Sequence, residues 1–350
     1  MLSYQIVEWD HPLEGREHTV PEPRDSEVLL RVDGCGVCRS DLSIRSGYFD
    51  AGDAGRITMA SKGVNLPFTM GHEVVGEVVA VGSAVRETGV GDQRVLYPWI
   101  GCGECRSCRR GHEVLCRSHR HMGTKIPGGY AEYVVVPHER YLVDYSGIPA
   151  SSACTCACAG LTAYSALGKI GYLDSEDHLL VIGAGGLGLS ATRLLPALTD
   201  AAAIVADVSE AKRRMALDSG AAFTLDPSAA DAGETIREIT GGYLRAAIDF
   251  VGSPETAKLA LESLDKGGVY VIVGLFGGSL TLGLPELPFK NRTIIGSYLG
   301  SVEDMRTLMG LVRDGRAATT PVTTRPMSAV NEALDELSDG VVPGRTVLVP

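Results

Sequence analysis

Four cysteines fall within fifteen residues as Cys102-x2-Cys105-x2-Cys108-x7-Cys116, in a stretch rich in glycine and arginine. That spacing lets one tight loop bring four thiolates to a tetrahedral cation. Four sulfurs fill the coordination of Zn²⁺ and leave no open position, so the chemistry offered is structural rather than catalytic. Iron–sulfur clusters use similar spacings, and unrelated cysteines in a hydrophilic loop are the remaining alternative. A second motif, Gly183-Ala-Gly185-Gly186-Leu187-Gly188, follows the apolar run Leu179–Ile182 and opens an apparent helix. Gly183 would make the tight turn, Gly185 would let a pyrophosphate approach, and Gly188 would let helix pack on sheet, with the anion held at the helix N-terminus. Nineteen residues after Gly188, Asp207 ends the next apolar run. A carboxylate there accepts ribose hydroxyls and repels a 2′-phosphate, which favours NAD over NADP.

These motifs need elements to hold them. Up to about residue 155 the chain carries short β-branched runs separated by turn residues, such as Glu27–Val32, Val74–Val81 and Tyr133–Val136, and reads as strand-rich. From about 160 to 300 apolar runs alternate with helical patterns: Leu179–Gly183, Ala203–Asp207, Ala222–Leu225, Ala246–Val251 and Val269–Val273. Such alternation predicts an α/β doubly wound parallel sheet. The last fifty residues predict helices at Val302–Asp314 and near Ala329–Ser338 and a strand at Thr346–Val349. With 350 residues, 45% hydrophobic, two domains are expected, and a cleft should run between them.

Composition narrows the partners. The net charge is −11 with no basic block, so no nucleic-acid partner is expected. Met1–Asp10 has neither a basic nor an apolar leader segment, and no long uninterrupted apolar run occurs, so neither a membrane segment nor export is expected. Nine cysteines, four of them clustered, suit a reducing cytoplasm in which clustered thiols bind metal.

Three further segments sort the remaining cysteines. Gly71-His72-Glu73-Val-Val-Gly76, Gly36-Val-Cys38-Arg39-Ser40-Asp41-Leu and Cys158-Ala-Gly160-Leu-Thr-Ala-Tyr, taken with the cysteine loop and the glycine motif in that chain order, resemble the zinc-dependent medium-chain alcohol dehydrogenases over essentially the whole sequence. The resemblance implies a strand-rich GroES-like catalytic domain over 1–158, a Rossmann NAD-binding domain over 159–300, and a return of 301–350 to the catalytic domain. It implies two Zn²⁺ per chain. The catalytic ion would be held by Cys38, His72 and Cys158, the last chosen over Cys154 and Cys156 for its place in Cys-Ala-Gly before the nucleotide domain. Two cysteines and a histidine with an open fourth position is the known catalytic zinc set of alcohol dehydrogenases, so that agreement restates the resemblance rather than adding to it. Glu73 resembles the acid that can approach the metal, Asp41 the acid that fixes the histidine tautomer, and Ser40 the hydroxyl that takes the substrate's proton. Lys212 and Arg213 match a basic pair beside the adenosine ribose, although a solvated helix face explains them nearly as well. Arg345, and from the catalytic side Arg39, match arginines on the cofactor phosphates, and Val251, Val273 and Gly274 fall where the nicotinamide would lie.

Two departures stand out. The segment Asp50–Pro67 is longer than the usual connection, and with Trp99 it should shape the pocket as a lid or as a surface loop. Where the family often carries a histidine to end the proton relay, this chain has Ser43, leaving water or a histidine such as His11 or His18 as the acceptor. The expected activity is hydride transfer between an alcohol and NAD, giving an aldehyde or ketone. A metal lowers the pKa of an oxygen it binds from ~15.7 to between ~7 and ~9, roughly 9 to 12 kcal/mol at ~1.36 kcal/mol per unit. The alternatives are a polyol dehydrogenase of the same superfamily, and a zinc- and NAD-holding protein without catalysis. A homo-oligomer is expected, tetramer favoured and dimer possible.

Overall fold

The computed structural model describes residues 1–52, 55–342 and 344–350. Its first half is organised by the strand Val28–Gly36, whose inward residues are buried. It pairs antiparallel along one edge with Glu73–Val81, and that strand leads on to Gln93–Leu96 and Leu142–Asp144. Its other edge is shared: Tyr133–Val136 covers the first part, and the C-terminal strand Arg345–Val349 covers the last, with Val322–Pro326 parallel outside it. The C-terminus thus closes the sheet that carries the N-terminal half.

The second half is a six-stranded, wholly parallel sheet in the order Phe223–Leu225, Ala202–Ala206, His178–Ile182, Leu244–Asp249, Leu264–Ile272, Thr293–Gly296. Parallel strands need helical crossovers, and these cover both faces, which is why the central strands are apolar throughout rather than alternating. Strand order reverses between His178–Ile182 and Leu244–Asp249. In open α/β sheets the crevice at that reversal, past the strands' C-terminal ends, is where ligands bind. The expected doubly wound sheet is present, and the helices Val302–Arg313 and Val330–Asp339 lie close to their predicted bounds.

Candidate functional site

The helix Arg39–Ser46 starts at Cys38, which occupies the N-cap, and the Asp41 carboxylate accepts the Cys38 backbone N–H at 2.9 Å. Asp41 is fully buried, and its other oxygen lies 3.1 Å from His72 Nδ1, so the histidine presents Nε2 for coordination. The Tyr130 hydroxyl donates to the same carboxylate at 2.8 Å. His72 stands immediately before the strand Glu73–Val81, and Gly71 can turn into it because its φ is +96° with the Tyr130 ring close above.

Cys158 arrives from a different device. The helix Ala150–Thr155 passes into a π-helical turn, Cys156–Gly160, before the α-helix Leu161–Leu167 resumes. Such a turn rotates the side chains after it and recurs at functional sites. It separates three cysteines that a regular helix would leave ambiguous. Cys154 donates to the Glu73 carbonyl and Cys156 to the Ser152 carbonyl, while the Cys158 sulfur joins donor atoms of Cys38, His72 and Glu73 within 4.8 Å of one another. The electrostatics suit a cation. The Cys158 thiol donates to Cys38, which holds Cys38 well below its ordinary value and pushes Cys158 up. Burial works against charging His72, but Asp41 and Cys38 outweigh it and raise its pKa well above normal. Two soft sulfurs and an imidazole are a zinc donor set, one short of a tetrahedron.

Glu73 is fully buried and ion-paired with the Arg345 guanidinium, while its second oxygen has no partner among the described residues. Burial raises its pKa to about 7 against the pull of Arg345. The Arg345 stem packs on Gly186, where an added Cβ would fall 2.5 Å from Arg345 Cδ. One side chain therefore spans from the metal-donor cluster to the glycine turn. The expectation placed Arg345 on the cofactor phosphates; its guanidinium in fact pairs with Glu73, a partner that sequence reasoning missed because it lies 272 positions away.

The glycine turn lies between the strand His178–Ile182 and the helix Gly186–Leu194. Gly183 adopts φ +94°, a Cβ on Gly188 would sit 1.8 Å from the Gly183 carbonyl oxygen, and Gly185 faces open space at the N-cap of the helix Gly186–Leu194 with no side chain capping it. Leu187 lies half-buried in the first turn of that helix. Asp207 follows the strand Ala202–Ala206, and its carboxylate accepts Ala184 N–H at 2.8 Å and Ser209 N–H at 2.9 Å. A carboxylate offers about four lone-pair sites, so acceptor capacity is left for ribose hydroxyls. Arg213 is tied to the Asp207 and Val208 carbonyls and to Asp226, and Lys212 lies in the first turn of the helix Glu210–Asp218. Arg39 is exposed and Ser40 half-buried on the opposing helix.

The four-cysteine loop is separate from this cluster. Its sulfurs lie within 4.8 Å of one another, with Cys105–Cys108 at 3.5 Å and Cys102–Cys108 at 3.9 Å. A Zn–S tetrahedron with bonds of ~2.3 Å has edges of about 3.8 Å. Backbone N–H groups already point at three of the sulfurs, those of Cys116, Cys102 and Cys105, and they lower Cys102 to about 6. All nine cysteines are free thiols.

Residues 24–147 match the alcohol dehydrogenase GroES-like domain, and residues 186–314 match the zinc-binding dehydrogenase domain. The chain belongs to the zinc-type alcohol dehydrogenase family. It is 37% identical to an NAD-dependent alcohol dehydrogenase of Sulfurisphaera tokodaii, with 100% of both chains covered. It is 31% identical to a D-arabinose 1-dehydrogenase (NADP(+)) of Saccharolobus solfataricus, covering 99% of this chain and 96% of the other. Its fold superimposes on the crystal structure of an alcohol dehydrogenase of Aeropyrum pernix with a TM-score of 0.88 at 29% identity over the full length of both.

Family membership makes the departures worth placing. Asp50–Pro67 begins at the last residue of the strand Tyr48–Asp50 and contains its antiparallel partner Arg56–Thr58, and Gly52 packs so closely on Gly278 that a Cβ would lie 2.9 Å from its backbone nitrogen. The segment thus touches the nucleotide-binding half; its residues 53 and 54 lie outside the described residues. Trp99 packs between His121, with ring centroids 3.5 Å apart, and the edge of Tyr298 at 5.0 Å, while His119 stacks on His121. The His72 charge reaches His121 and those of Cys38 and Cys158 reach Tyr298, which puts this aromatic wall beside the donor cluster. Neither His11, bound to the Trp9 carbonyl, nor His18, bound to Gln5, is in the site.

The loop carries its own prediction. Cys105→Ser should chiefly lower the melting temperature, since it removes one of four sulfurs from a closed site, and elemental analysis of the wild-type chain should find two zinc ions. A chelator should remove first the ion with an open position. One zinc per chain, or iron with sulfide, would overturn the assignment.

Proposed function

We infer that this protein is a zinc-dependent, NAD-linked dehydrogenase that interconverts an alcohol with its aldehyde or ketone. The observation carrying the reading is the set of buried Cys38 and His72 with half-buried Cys158, three protein donors with a fourth position open, joined through Glu73 and Arg345 to the glycine turn. When bound, zinc supplies Lewis-acid polarisation of the substrate oxygen and the nicotinamide takes the hydride.

The chain does the rest. Cys38, His72 and Cys158 hold the metal, and Asp41 fixes the imidazole tautomer with Tyr130 behind it. Glu73 supplies a carboxylate whose free oxygen can approach the ion, and Arg345 offsets its charge. Ser40 receives the substrate's proton. Gly183, Gly185, Gly186, Leu187 and Gly188 seat the pyrophosphate at a helix N-terminus. Arg39 adds positive charge there, and Lys212 lies on the adenosine-ribose side with Arg213, which braces the Asp207 turn. Val251, Val273 and Gly274 bound the nicotinamide end. Spectrophotometric NADH formation over a panel of primary, secondary and polyhydric alcohols, with an aldopentose included because one relative is named for D-arabinose, tests the reading. No NADH from any of them by protein holding two zinc ions would sink it.

Asp207 sets the cofactor preference. A free lone pair on each carboxylate oxygen suits a ribose diol and opposes a phosphate, so NAD should be favoured and Asp207→Gly should narrow the preference through KM for NADP. Losing a hydrogen bond to a charged group costs ~1.5 to 3 kcal/mol, or about 10- to 150-fold. Equal wild-type rates with NAD and NADP would show that Asp207 only braces the turn.

We also propose a homo-oligomer, tetramer or dimer, assembled through the outer edge of the parallel sheet. Leu284 and Phe289 are exposed on and just before the short helix Glu286–Lys290 that leads into the edge strand Thr293–Gly296, giving apolar surface beside an unpaired strand edge. Light scattering should report more than one chain, and Phe289→Glu should reduce it; a monomeric wild type would refute this. No helix among the described residues is long and apolar enough to cross a membrane. Nine free thiols support a cytoplasmic location, and the net charge of −11 argues against a nucleic-acid partner.

A further inference from the structure

Three residues at the nicotinamide end, Val251, Val273 and Gly274, lie in two turns that leave the neighbouring strands Leu244–Asp249, which borders the reversal point of the parallel sheet, and Leu264–Ile272. Both turns hang on Asp249, the last residue of the strand Leu244–Asp249, which is fully buried and has no cationic partner among the described residues. Its Oδ1 accepts Val251 N–H at 2.8 Å and Gly252 N–H at 2.9 Å, and its Oδ2 accepts the Thr256 hydroxyl at 2.7 Å and the Tyr270 hydroxyl at 2.8 Å. Its backbone carbonyl accepts Val273 N–H at 2.9 Å and Gly274 N–H at 3.0 Å.

The turns it holds are packed backbone on backbone. Gly252 has φ +75°, and a Cβ there would fall 2.3 Å from the Gly274 carbonyl oxygen; one on Gly274 would fall 2.0 Å from the Val251 carbonyl carbon. The Val251 side chain in turn closes on the glycine turn, 2.9 Å from where a Gly183 Cβ would be. A buried carboxylate is costly unless it is fully hydrogen-bonded. Here Oδ1 holds the Val251–Gly252 turn directly, Oδ2 ties it to Thr256 of the helix Pro254–Ser263 and Tyr270 of the strand Leu264–Ile272, and the second turn hangs on the same residue's backbone carbonyl, so its desolvation is offset only while these parts keep their places.

From this arrangement we propose that Asp249 is a positioning residue for the cofactor, setting the shape of the wall against which the nicotinamide half of NAD is placed. The proposal rests on the cofactor reading given above. It acts through Val251, Gly252 and Gly274 rather than by contact, and it concerns one half of the dinucleotide. The adenosine half is held by Asp207 and the glycine turn, whose hydrogen bonds do not pass through Asp249.

Separating the halves makes the test. Binding of NADH, followed by its fluorescence, and of ADP-ribose, which lacks the nicotinamide, is measured by titration for wild type, Asp249→Ala and Asp249→Asn, with melting temperature recorded for each. Asp249→Ala removes the acceptor of four donors, of which the Thr256 hydroxyl keeps the Ser253 carbonyl, and should weaken NADH by about tenfold or more while moving ADP-ribose by less than about threefold. Asp249→Asn keeps an oxygen for the two N–H groups, and the hydroxyls can turn to accept from its amide, so NADH affinity should return to within about threefold of wild type. In turnover, KM for NAD should rise in Asp249→Ala while KM for the alcohol at saturating NAD stays level. Should Asp249→Ala not fold, the double variant Thr256→Val/Tyr270→Phe, which frees Oδ2 and keeps the charge, should show the same NADH-selective loss in smaller degree. Equal loss of both ligands, or loss of neither, would overturn the proposal. Wild-type protein that bound neither NADH nor ADP-ribose would instead overturn the cofactor reading, and this proposal with it.

Discussion

His72→Ala is expected to abolish alcohol oxidation, by 10³-fold or more (about 4 kcal/mol at ~1.36 kcal/mol per decade), while leaving the chain folded. Without the imidazole the cluster keeps two sulfurs and Glu73, and Glu73 is committed to Arg345. Metal content should fall from two ions per chain to one, the survivor being the ion of the four-cysteine loop. Folding should persist because Asp41 retains the Cys38 N–H and the Tyr130 hydroxyl, so the loss is one buried hydrogen bond worth about 1 to 3 kcal/mol. Asp41→Asn should behave as its weaker version, reducing metal affinity about 10- to 100-fold and responding to added zinc. Excess zinc should restore chelated wild type and leave His72→Ala inactive. If His72→Ala kept a tenth of the wild-type rate with one zinc per chain, the open site would not be the seat of the chemistry.

Why this cluster was only partly legible from sequence follows from how each residue arrives. The four-cysteine loop and the glycine turn are local: their geometry is set within fifteen and six residues, so spacing alone predicts them. The parallel sheet was legible for a related reason, since strands buried on both faces read as apolar runs. The strand Leu264–Ile272 starts five residues earlier than its apolar run because pairing with Leu244–Asp249, across a register shift, carries its polar first half. Cys154, Cys156 and Cys158 are two apart, and nothing in their types says which faces the metal; the π-turn decides it, and a single sequence carries no signature of such a turn. Arg345 and Glu73 meet only after the C-terminal strand adds to Val28–Gly36, and Asp249 gains its meaning only when two strand ends are brought side by side. An Asp at a strand end, followed by Phe-Val-Gly-Ser-Pro, was the available hint, because a carboxylate there can cap the following turn. The sequence left the Asp50–Pro67 segment open between a lid and a surface loop, because nothing local to it shows the Gly52–Gly278 contact that lays it against the nucleotide-binding half.

Ser40→Ala is expected to cost about 10²-fold or more in alcohol oxidation, within the ~10² to 10⁴ range of a positioned proton transfer, while Ser43→Ala should cost less than threefold. Ser40 lies in the first turn of the helix that begins at Cys38, half-buried and next to the metal-donor cluster. Ser43 is one turn further on, where its carbonyl is engaged by the Ser46 hydroxyl and the Gly47 N–H rather than by anything in the site. Among the described residues no histidine stands ready to take the proton onward, and His119, although stacked on His121, is bound to the Cys116 carbonyl. His11 and His18 are held elsewhere, and His121, although beside the cluster, is lowered to about 3 by its burial and so has no affinity for a proton near neutral pH. On the proposed role of Ser40, the proton it accepts is expected to leave to water from the half-buried end of the helix. Ser43→His should then introduce a pH-dependent step near the unperturbed imidazole pKa of ~6.5, with the rate rising as the ring loses its proton, because only the neutral form can accept one. The comparison is made on kcat at saturating NAD across pH 5 to 9, so that cofactor affinity does not enter. If Ser43→Ala loses as much as Ser40→Ala, then Ser43 is itself part of the path and the proton does not leave directly to water.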